Sequence, residues 1–236
     1  MSGMATTIKG ADGSFGAYLA SPVSARAPGV VVIQEIFGVN AVMREIADGF
    51  AERGYFALVP DLFWRLEPNV QLSDKTDAEW KKAFDLMGRF DQTEGVADIQ
   101  ASIDHLRKLP AASGKVGTVG FCLGGLMAFL SAIRTDSDAS VGYYGVNIQD
   151  HLAEAKTLRN PLMLHIAGKD QFVPPPAQQQ IVEGLKSNSL VTIHVYPEMD
   201  HAFARVGGAH YDKANAELAN GRTATFFRQH LSRGQT

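Results

Sequence analysis

Along this chain, short runs of apolar residues alternate with segments in which apolar residues recur every three or four positions. The short runs are rich in β-branched residues and end in Gly, Pro or acidic residues, a pattern typical of strands buried on both faces of a parallel sheet. Six such strands are predicted, over 29–34, 56–60, 116–120, 139–144, 162–167 and 191–196.

The segments between these runs have the apolar spacing of amphipathic helices. Helices are predicted over 40–53, 93–109, 124–134, 176–187 and 209–231. A further helix, over 77–89, is flanked by longer irregular stretches, which makes it a candidate cap over a site. Strands that alternate with helices predict an α/β fold, with a mostly parallel central sheet flanked by helices on both faces.

Composition is ordinary for a globular protein, with 45% hydrophobic and 20% charged residues among 236. No internal repeat, low-complexity tract or Gly/Ser linker divides the chain, so a single domain over 1–236 is expected. The formal net charge of −3 gives no reason to expect nucleic acid or an anionic membrane as partner. A monomer is expected.

The chain has one cysteine, which cannot form an internal disulfide and fits the reducing cytoplasm. The N-terminus lacks the apolar region of a signal peptide, and no run approaches the roughly 18 apolar residues of a membrane span. No group of His, Cys and Asp has the spacing of a zinc site, so neither a metal nor another cofactor is predicted. We expect a cytoplasmic protein.

That cysteine, Cys122, lies in the segment VGFCLGG, between a predicted strand and a predicted helix. Gly120 and Gly124 flank it in the pattern G-x-C-x-G, which is typical of a sharp turn that presents a nucleophile. The N-terminus of the following helix would favour a thiolate and stabilise negative charge developing on a substrate. The alternative is a buried structural cysteine, because free cysteines are commonly buried.

Two later strands end beside residues that could activate such a nucleophile. His201 follows the strand over 191–196, and Asp170 follows the strand over 162–167, so both are expected at the carboxyl edge of the sheet. The chain order Cys122, Asp170, His201 is the order nucleophile, acid, histidine of the α/β-hydrolases. Asp200 is a rival acid, but adjacent residues rarely allow one side chain to orient the ring of the other.

Donors for a developing oxyanion are expected near the first predicted strand. The backbone N–H of Ile36, in the loop after that strand, is one candidate, and the backbone N–H of Leu123, beside the nucleophile, is the other. Phe37, in the same loop as Ile36, is expected to line the substrate site.

Six segments together resemble the dienelactone hydrolase (carboxymethylenebutenolidase) family of the α/β-hydrolase fold. They are VVVIQEIFGVN, GYFALVPDLFWR, GFCLGG, GYYG, HIAGKDQFVP and DHAFAR, and they span nearly the whole chain. The resemblance implies hydrolysis of a small lactone or enol ester that bears a carboxylate, as dienelactone does. The reaction would pass through an acyl-enzyme on Cys122, with His201 as base and Asp170 as its orienting acid. The alternatives are a broader carboxylesterase and a non-catalytic relative that uses its thiol as a switch or binds a ligand.

The resemblance also implies a gate made by Glu35 and Arg205, for which the alternative is a simple structural ion pair. A substrate carboxylate would compete for Arg205, and Glu35 would move towards Cys122 and deprotonate the thiol. The chemistry is sound, because a carboxylate that loses its cationic partner becomes a stronger base.

Some substrate-binding positions of the family are changed in this sequence. Ala202 stands where the family has a serine after the catalytic histidine, and Trp80 stands near the position of a second arginine. Lys81 or Lys82 could supply the missing charge, although lysine lacks the bidentate fork of arginine. The further pocket positions that the resemblance implies are Phe84, which lacks a hydroxyl, and Tyr144, which is retained.

Overall fold

The computed structural model describes residues 3–23 and 26–232, and both ends of the predicted domain lie outside these ranges. A central sheet of eight strands runs through the described residues. The strands are β1 (Met4–Lys9), β2 (Ser14–Ala20), β3 (Ala27–Ile33), β4 (Phe56–Pro60), β5 (Ala112–Phe121), β6 (Ala139–Tyr143), β7 (Leu162–Ala167) and β8 (Val191–Tyr196). Their order across the sheet is β1-β2-β4-β3-β5-β6-β7-β8.

The sheet is mixed, with six parallel strands and an antiparallel pair at one edge. The six predicted strands, β3 to β8, are the parallel ones. β4, β7 and β8 have the predicted bounds, whereas β3 and β5 begin earlier than predicted. β1 and β2 were not predicted, because they pair antiparallel and mix exposed with buried positions, so neither forms a continuous apolar run.

Six α-helices and one long 3₁₀ helix lie between or after the strands of the described residues. They are α1 (Ala41–Glu52), α2 (Asp77–Arg89), α3 (Gln92–Arg107), α4 (Leu123–Arg134), the 3₁₀ helix Ile148–Thr157, α5 (Pro175–Leu185) and α6 (Lys213–Leu231). α6 begins at Lys213, later than the predicted position 209. Asp212 is its N-cap, because the Asp212 side chain accepts the N–H of Asn215 at 2.9 Å. The 3₁₀ helix was not predicted.

Two glycines show that helices cover both faces of the sheet. A side chain on Gly29 would meet Leu106 of α3, whereas one on Gly117 would meet Phe227 of α6. Gly29 pairs with Val116 across the sheet, so Gly117, the next residue, points to the opposite face. The predicted layering of an α/β fold is therefore confirmed.

The parallel strands share one carboxyl edge, and the loops that follow them meet there. β3 leads into the loop with Glu35, β5 into Cys122, β7 into Asp170, and β8 into the turn before His201. α2, which has its predicted bounds, follows the irregular segment 61–76. The candidate site therefore lies between this edge of the sheet and α2.

Candidate active site

Cys122 is the single residue between the end of β5 and the start of α4. Its backbone has φ 57° and ψ −116°, a region that non-glycine residues enter at a cost of about 1–3 kcal/mol. The turn is so tight that a Cβ atom on Gly120 would lie 1.8 Å from the carbonyl oxygen of Gly124. The two flanking glycines are therefore required sterically, and they hold a strained cysteine, 8% exposed, at the carboxyl edge of the sheet.

The close packing of Gly124 brings the loop after β3 to the N-terminus of α4. A Cβ atom on Gly124 would lie 2.4 Å from the carbonyl oxygen of Ile33. In this region the backbone N–H groups of Ile36 and Leu123 donate to no acceptor among the described residues. Two unpartnered donors beside a cysteine are what an oxyanion site needs.

His201 and Asp170 form a buried hydrogen-bonded pair. Nδ1 of His201 lies 2.7 Å from Oδ2 of Asp170, and the two side chains are 8% and 1% exposed. The other carboxylate oxygen of Asp170 accepts the backbone N–H of Phe172 at 2.8 Å, which fixes the carboxylate. Asp200 is far more exposed, at 39%, and its carboxylate lies 3.5 Å from Nδ1 of His210. The geometry therefore supports Asp170 over its rival.

The charge state of His201 is set by its neighbours. Burial disfavours the imidazolium, but the neighbouring Cys122 side chain and the hydrogen bond to Asp170 outweigh it and raise the pKa of His201 to about 10. The ring is also packed between two aromatic rings, with centroids 5.1 Å from Tyr144 and 4.8 Å from Phe172. The site thus favours a charged histidine beside the cysteine sulfur.

Glu35 and Arg205 meet in the structure, and a third residue joins them. Nη1 of Arg205 donates to Oε2 of Glu35 at 3.0 Å, and Nη2 lies 3.1 Å from Oδ2 of Asp74. Oε1 of Glu35 and the hydroxyl of Tyr144 are buried without a hydrogen-bond partner among the described residues. The pKa of Tyr144 is raised well above its usual value, first by burial and then by the negative charge of Glu35.

A cavity of about 160 Å³ opens onto these groups. Its walls are mainly apolar, and three of its side chains, Cys122, His201 and Arg205, bring the chemistry described above. The other lining residues are Ile36, Phe37, Trp80, Phe84, Met87, Val146, Asn147 and Phe172. Four of the aromatic rings form a chain, with centroid separations of 5.0 Å for Phe37–Trp80, 5.5 Å for Trp80–Phe84 and 6.3 Å for Phe84–Phe172.

The structure brings most of the predicted binding residues together, with one exception. Phe37, Trp80, Phe84 and Arg205 line the cavity, and Tyr144 lies behind the ring of His201. Lys81 is exposed and lies outside the cavity lining. It follows Trp80 on α2, and the two side chains point in different directions because successive helical residues do not share a face.

Two functional candidates, Phe172 and Asp74, were not predicted from the sequence. Phe172 lies in one of the six family-like segments, but no pattern gave it a role, although its ring packs on His201. Asp74 lies in the aperiodic segment before α2, where no pattern marks a residue as buried. The structure fixes its position, because the indole N–H of Trp80 donates to the backbone oxygen of Asp74 at 3.1 Å.

Metal-binding clusters and membrane-spanning helices are both absent from the described part of the chain. Within residues 3–23 and 26–232, no three side chains of His, Cys, Asp or Glu are grouped so as to hold a metal ion. None of the helices in these ranges is both long and apolar enough to cross a membrane.

The sheet and the strained strand-to-helix turn after β5 define an α/β-hydrolase. A crystal structure from Klebsiella pneumoniae has the same fold, with a TM-score of 0.85 and 26% identity over 97% of this chain and 100% of that one. The predicted fold class is therefore confirmed.

The chain belongs to the dienelactone hydrolase family, whose model matches residues 15–231. A homologue from Azospirillum brasilense is 52% identical over 94% of this chain and 96% of its own. A carboxymethylenebutenolidase from Pseudomonas putida is 42% identical over 93% of this chain and 94% of its own. These matches confirm the family and the enzyme class predicted from the sequence, a carboxylic ester hydrolase.

Proposed function

We propose that this protein hydrolyses small lactones or enol esters through an acyl-enzyme on Cys122. The observation that carries the proposal is the buried pair of His201 and Asp170, 2.7 Å apart, beside a cysteine on a strained turn. A structural cysteine or a thiol switch has no need of a histidine oriented by a buried carboxylate. The name of the Pseudomonas putida relative, a carboxymethylenebutenolidase, supports a lactone as substrate.

In the first half of the reaction, the sulfur of Cys122 attacks the carbonyl carbon, and His201 holds the proton that leaves the thiol. The N–H groups of Ile36 and Leu123 donate to the oxyanion of the tetrahedral intermediate. The bond between the carbonyl carbon and the ester oxygen then breaks, and His201 returns the proton to that oxygen. In a lactone, the freed enol stays attached to the acyl group.

In the second half, His201 accepts a proton from water, and the resulting hydroxide attacks the thioester carbon. The carbon–sulfur bond breaks, the carboxylic acid leaves, and Cys122 regains its proton from His201. Asp170 keeps the ring of His201 in one orientation and stabilises its charged form throughout, which is the task of the acid in such triads.

Glu35 is proposed to assist the deprotonation of Cys122. One of its carboxylate oxygens is bound by Arg205, while the other is buried and unpartnered among the described residues. A buried carboxylate with a free oxygen is able to accept the thiol proton if its bond to the arginine lengthens, and the proton then passes to His201, which returns it to the leaving oxygen. Whether Glu35 acts as a gate or as a structural partner of Arg205 is decided by the rate of acylation in Glu35→Gln.

The proposal is tested with a panel of chromogenic enol esters and lactones, followed by intact-mass detection of an acyl adduct. Turnover and the adduct should both disappear in Cys122→Ala. Asp170→Asn should lower kcat by a factor on the order of 10³–10⁴, whereas Asp200→Asn, the matched control, should stay within about twofold of wild type. If no member of the panel is turned over and no adduct forms, the hydrolase assignment is wrong.

Slower adduct formation in Glu35→Gln, with unchanged stability, would support its role as a base; an unchanged rate would leave Glu35 as a structural partner. The single-domain organisation, the monomeric state and the cytoplasmic location remain predictions.

A further inference from the structure

Asn147 lines the cavity, and nothing in the chemistry described so far uses it. It lies in the loop after β6, is exposed, and brings a side-chain amide to the cavity wall. The amide group offers two N–H donors and one acceptor oxygen. The backbone of Asn147 has φ 59° and ψ 17°, a left-handed conformation that asparagine tolerates and that glycine adopts without strain.

Local structure does not account for the side chain of Asn147. The residue is the N-cap of the 3₁₀ helix Ile148–Thr157, but its side chain makes no capping hydrogen bond to that helix. Its backbone oxygen alone accepts from the first turn, at 3.2 Å from the N–H of Asp150. Glycine would meet both backbone requirements at lower cost. The amide is therefore available to a molecule in the cavity.

The loop that carries Asn147 is hydrogen-bonded to the backbone of the nucleophile. The N–H of Cys122 donates to the backbone oxygen of Tyr143 at 3.1 Å, and the N–H of Val146 donates to the backbone oxygen of Cys122 at 3.4 Å. Asn147 follows Val146, so the Cα atoms of these two residues are about 3.8 Å apart. The cavity, of about 160 Å³, has room for one small ring. An ester held at Cys122 therefore comes within reach of Asn147.

The order of the strands shows which side of the ester Asn147 faces. In the sheet, β3 and β6 flank β5, so the loops after them lie on opposite sides of Cys122. The loop after β3 carries Ile36, the proposed oxyanion donor. Asp170, which binds His201, follows β7, beyond β6 in the sheet. Asn147 thus lies on the side of His201, from which the proton returns to the leaving oxygen.

We infer that Asn147 is a catalytic residue whose side-chain N–H donates to the leaving oxygen of the ester or lactone. When the bond between the carbonyl carbon and this oxygen breaks, the electron pair stays on the oxygen. The hydrogen bond from Asn147 stabilises this charge until His201 delivers the proton, and Asn147 keeps its own protons throughout. The inference rests on the proposed hydrolase function and adds a residue to it. It favours esters and lactones whose leaving oxygen is strongly basic.

The test compares phenyl acetate with 4-nitrophenyl acetate, which share an acyl group and differ in the basicity of the leaving oxygen. Asn147→Gly removes the amide and permits the same backbone. Its kcat/KM should fall about tenfold or more for phenyl acetate and about threefold or less for 4-nitrophenyl acetate, because a more basic oxygen accepts a stronger hydrogen bond. Asn147→Asp, which keeps the shape and loses the donors, should show the same ordering.

The matched control is Asn69→Gly. Asn69 is also an exposed asparagine with a left-handed backbone, at φ 63°, and it lies outside the cavity lining. Both glycine variants should unfold within about 3 °C of the wild-type temperature. Asn69→Gly should keep both kcat/KM values within about twofold of wild type. Equal losses for the two esters in Asn147→Gly, or no loss, would overturn the inference, because Asn147 would then be a structural residue.

A binding measurement separates this inference from the proposed reaction. The probe is 4-cyanophenolate, which resembles the departing oxygen, at an alkaline pH at which it is ionised. Its affinity is measured by calorimetry in Cys122→Ala with and without Asn147→Gly. Affinity about threefold or more lower in the double variant supports the role of Asn147, and equal affinities refute it. Absence of turnover of both esters by the wild type would instead refute the hydrolase function, and the calorimetric result would still decide whether Asn147 binds the leaving oxygen.

Discussion

The substitution Gly124→Ala tests how the turn at Cys122 (the elbow) and the loop after β3 that carries Ile36 (the oxyanion loop) are held together. In an ordinary helix this change is stabilising by up to about 1 kcal/mol, because alanine has the higher helix propensity. At this position the new Cβ atom would lie 2.4 Å from the carbonyl oxygen of Ile33 and 2.6 Å from that of Gln34. Both contacts are with backbone, which has no rotamer by which to move away.

The magnitude follows from the separation required. Ordinary contact begins at 3.4 Å, so α4 and the end of β3 must move apart by about 1 Å. Overpacking of this kind costs about 1–3 kcal/mol, and a net loss of about 2 kcal/mol is expected. In a protein of 236 residues this corresponds to a fall in Tm of about 4–8 °C. Since the same movement separates Ile36 from Leu123, kcat should fall by about 100-fold.

Thermal unfolding and steady-state hydrolysis of a chromogenic ester measure the two effects. The control is Gly221→Ala in α6, where a Cβ atom meets nothing within 4 Å. Gly221→Ala should be neutral or stabilising by up to about 1 kcal/mol, with unchanged kcat. If Gly124→Ala unfolds at or above the wild-type temperature and keeps its activity, close packing at Gly124 does not hold the elbow against the oxyanion loop.

Two further predictions concern a buried ion pair and the pH dependence of stability. Asp98, with a side chain 2% exposed, accepts from Arg65 at 2.5 Å and from the indole of Trp64 at 2.9 Å. Asp98→Asn should therefore lower the free energy of unfolding by about 2 kcal/mol in urea denaturation without loss of activity. Asp12→Asn, at the 56% exposed partner of the same arginine, should destabilise the protein clearly less than Asp98→Asn does; equal losses would contradict the role of burial. The pKa of His201 is raised from 6.5 to about 10, so its protonation stabilises the fold fully below pH 6.5, and this contribution is lost as the pH rises through 10. The stability difference between wild type and His201→Gln should accordingly shrink from pH 7 to 10, and a constant difference would show that protonation of His201 is not coupled to folding.

The sequence predicts the centre of this molecule better than its edges. β4 and β7 are short, mainly apolar runs buried from end to end, and β8 is a β-branched run paired in parallel register with β7; these patterns are sufficient to locate them. β1 and β2 were missed because strands at an antiparallel edge have partly exposed positions and depend on pairing that a single segment does not reveal.

The same distinction applies to the site. Cys122, Asp170 and His201 follow strands and could be located from strand ends alone, since the fold brings those ends together. Asp74 and Lys81 depend on how the irregular segment before α2 folds, and periodicity carries no information there. Lys81 was expected to serve the site, but its direction on the helix leaves it outside the cavity lining. Trp80, the residue before it, does line the cavity.

Backbone strain in this molecule is concentrated where the chemistry is proposed. Among the described residues, positive φ angles outside glycine occur at Asn69, Cys122, Tyr144, Asn147 and Ala202. All but Asn69 line the cavity or lie beside His201. At about 1–3 kcal/mol each, four such residues amount to a considerable part of a typical folding free energy of about 5–15 kcal/mol.

Stabilising substitutions at the opposite end of the sheet therefore have a different consequence from those at the site. Substitutions that relax Cys122, Tyr144, Asn147 or Ala202 would gain thermostability at the expense of the geometry that the reaction needs. The amino ends of the parallel strands and the β1–β2 edge have no such conflict. Thermostable variants of this hydrolase are best sought there, where heat resistance and turnover are independent properties.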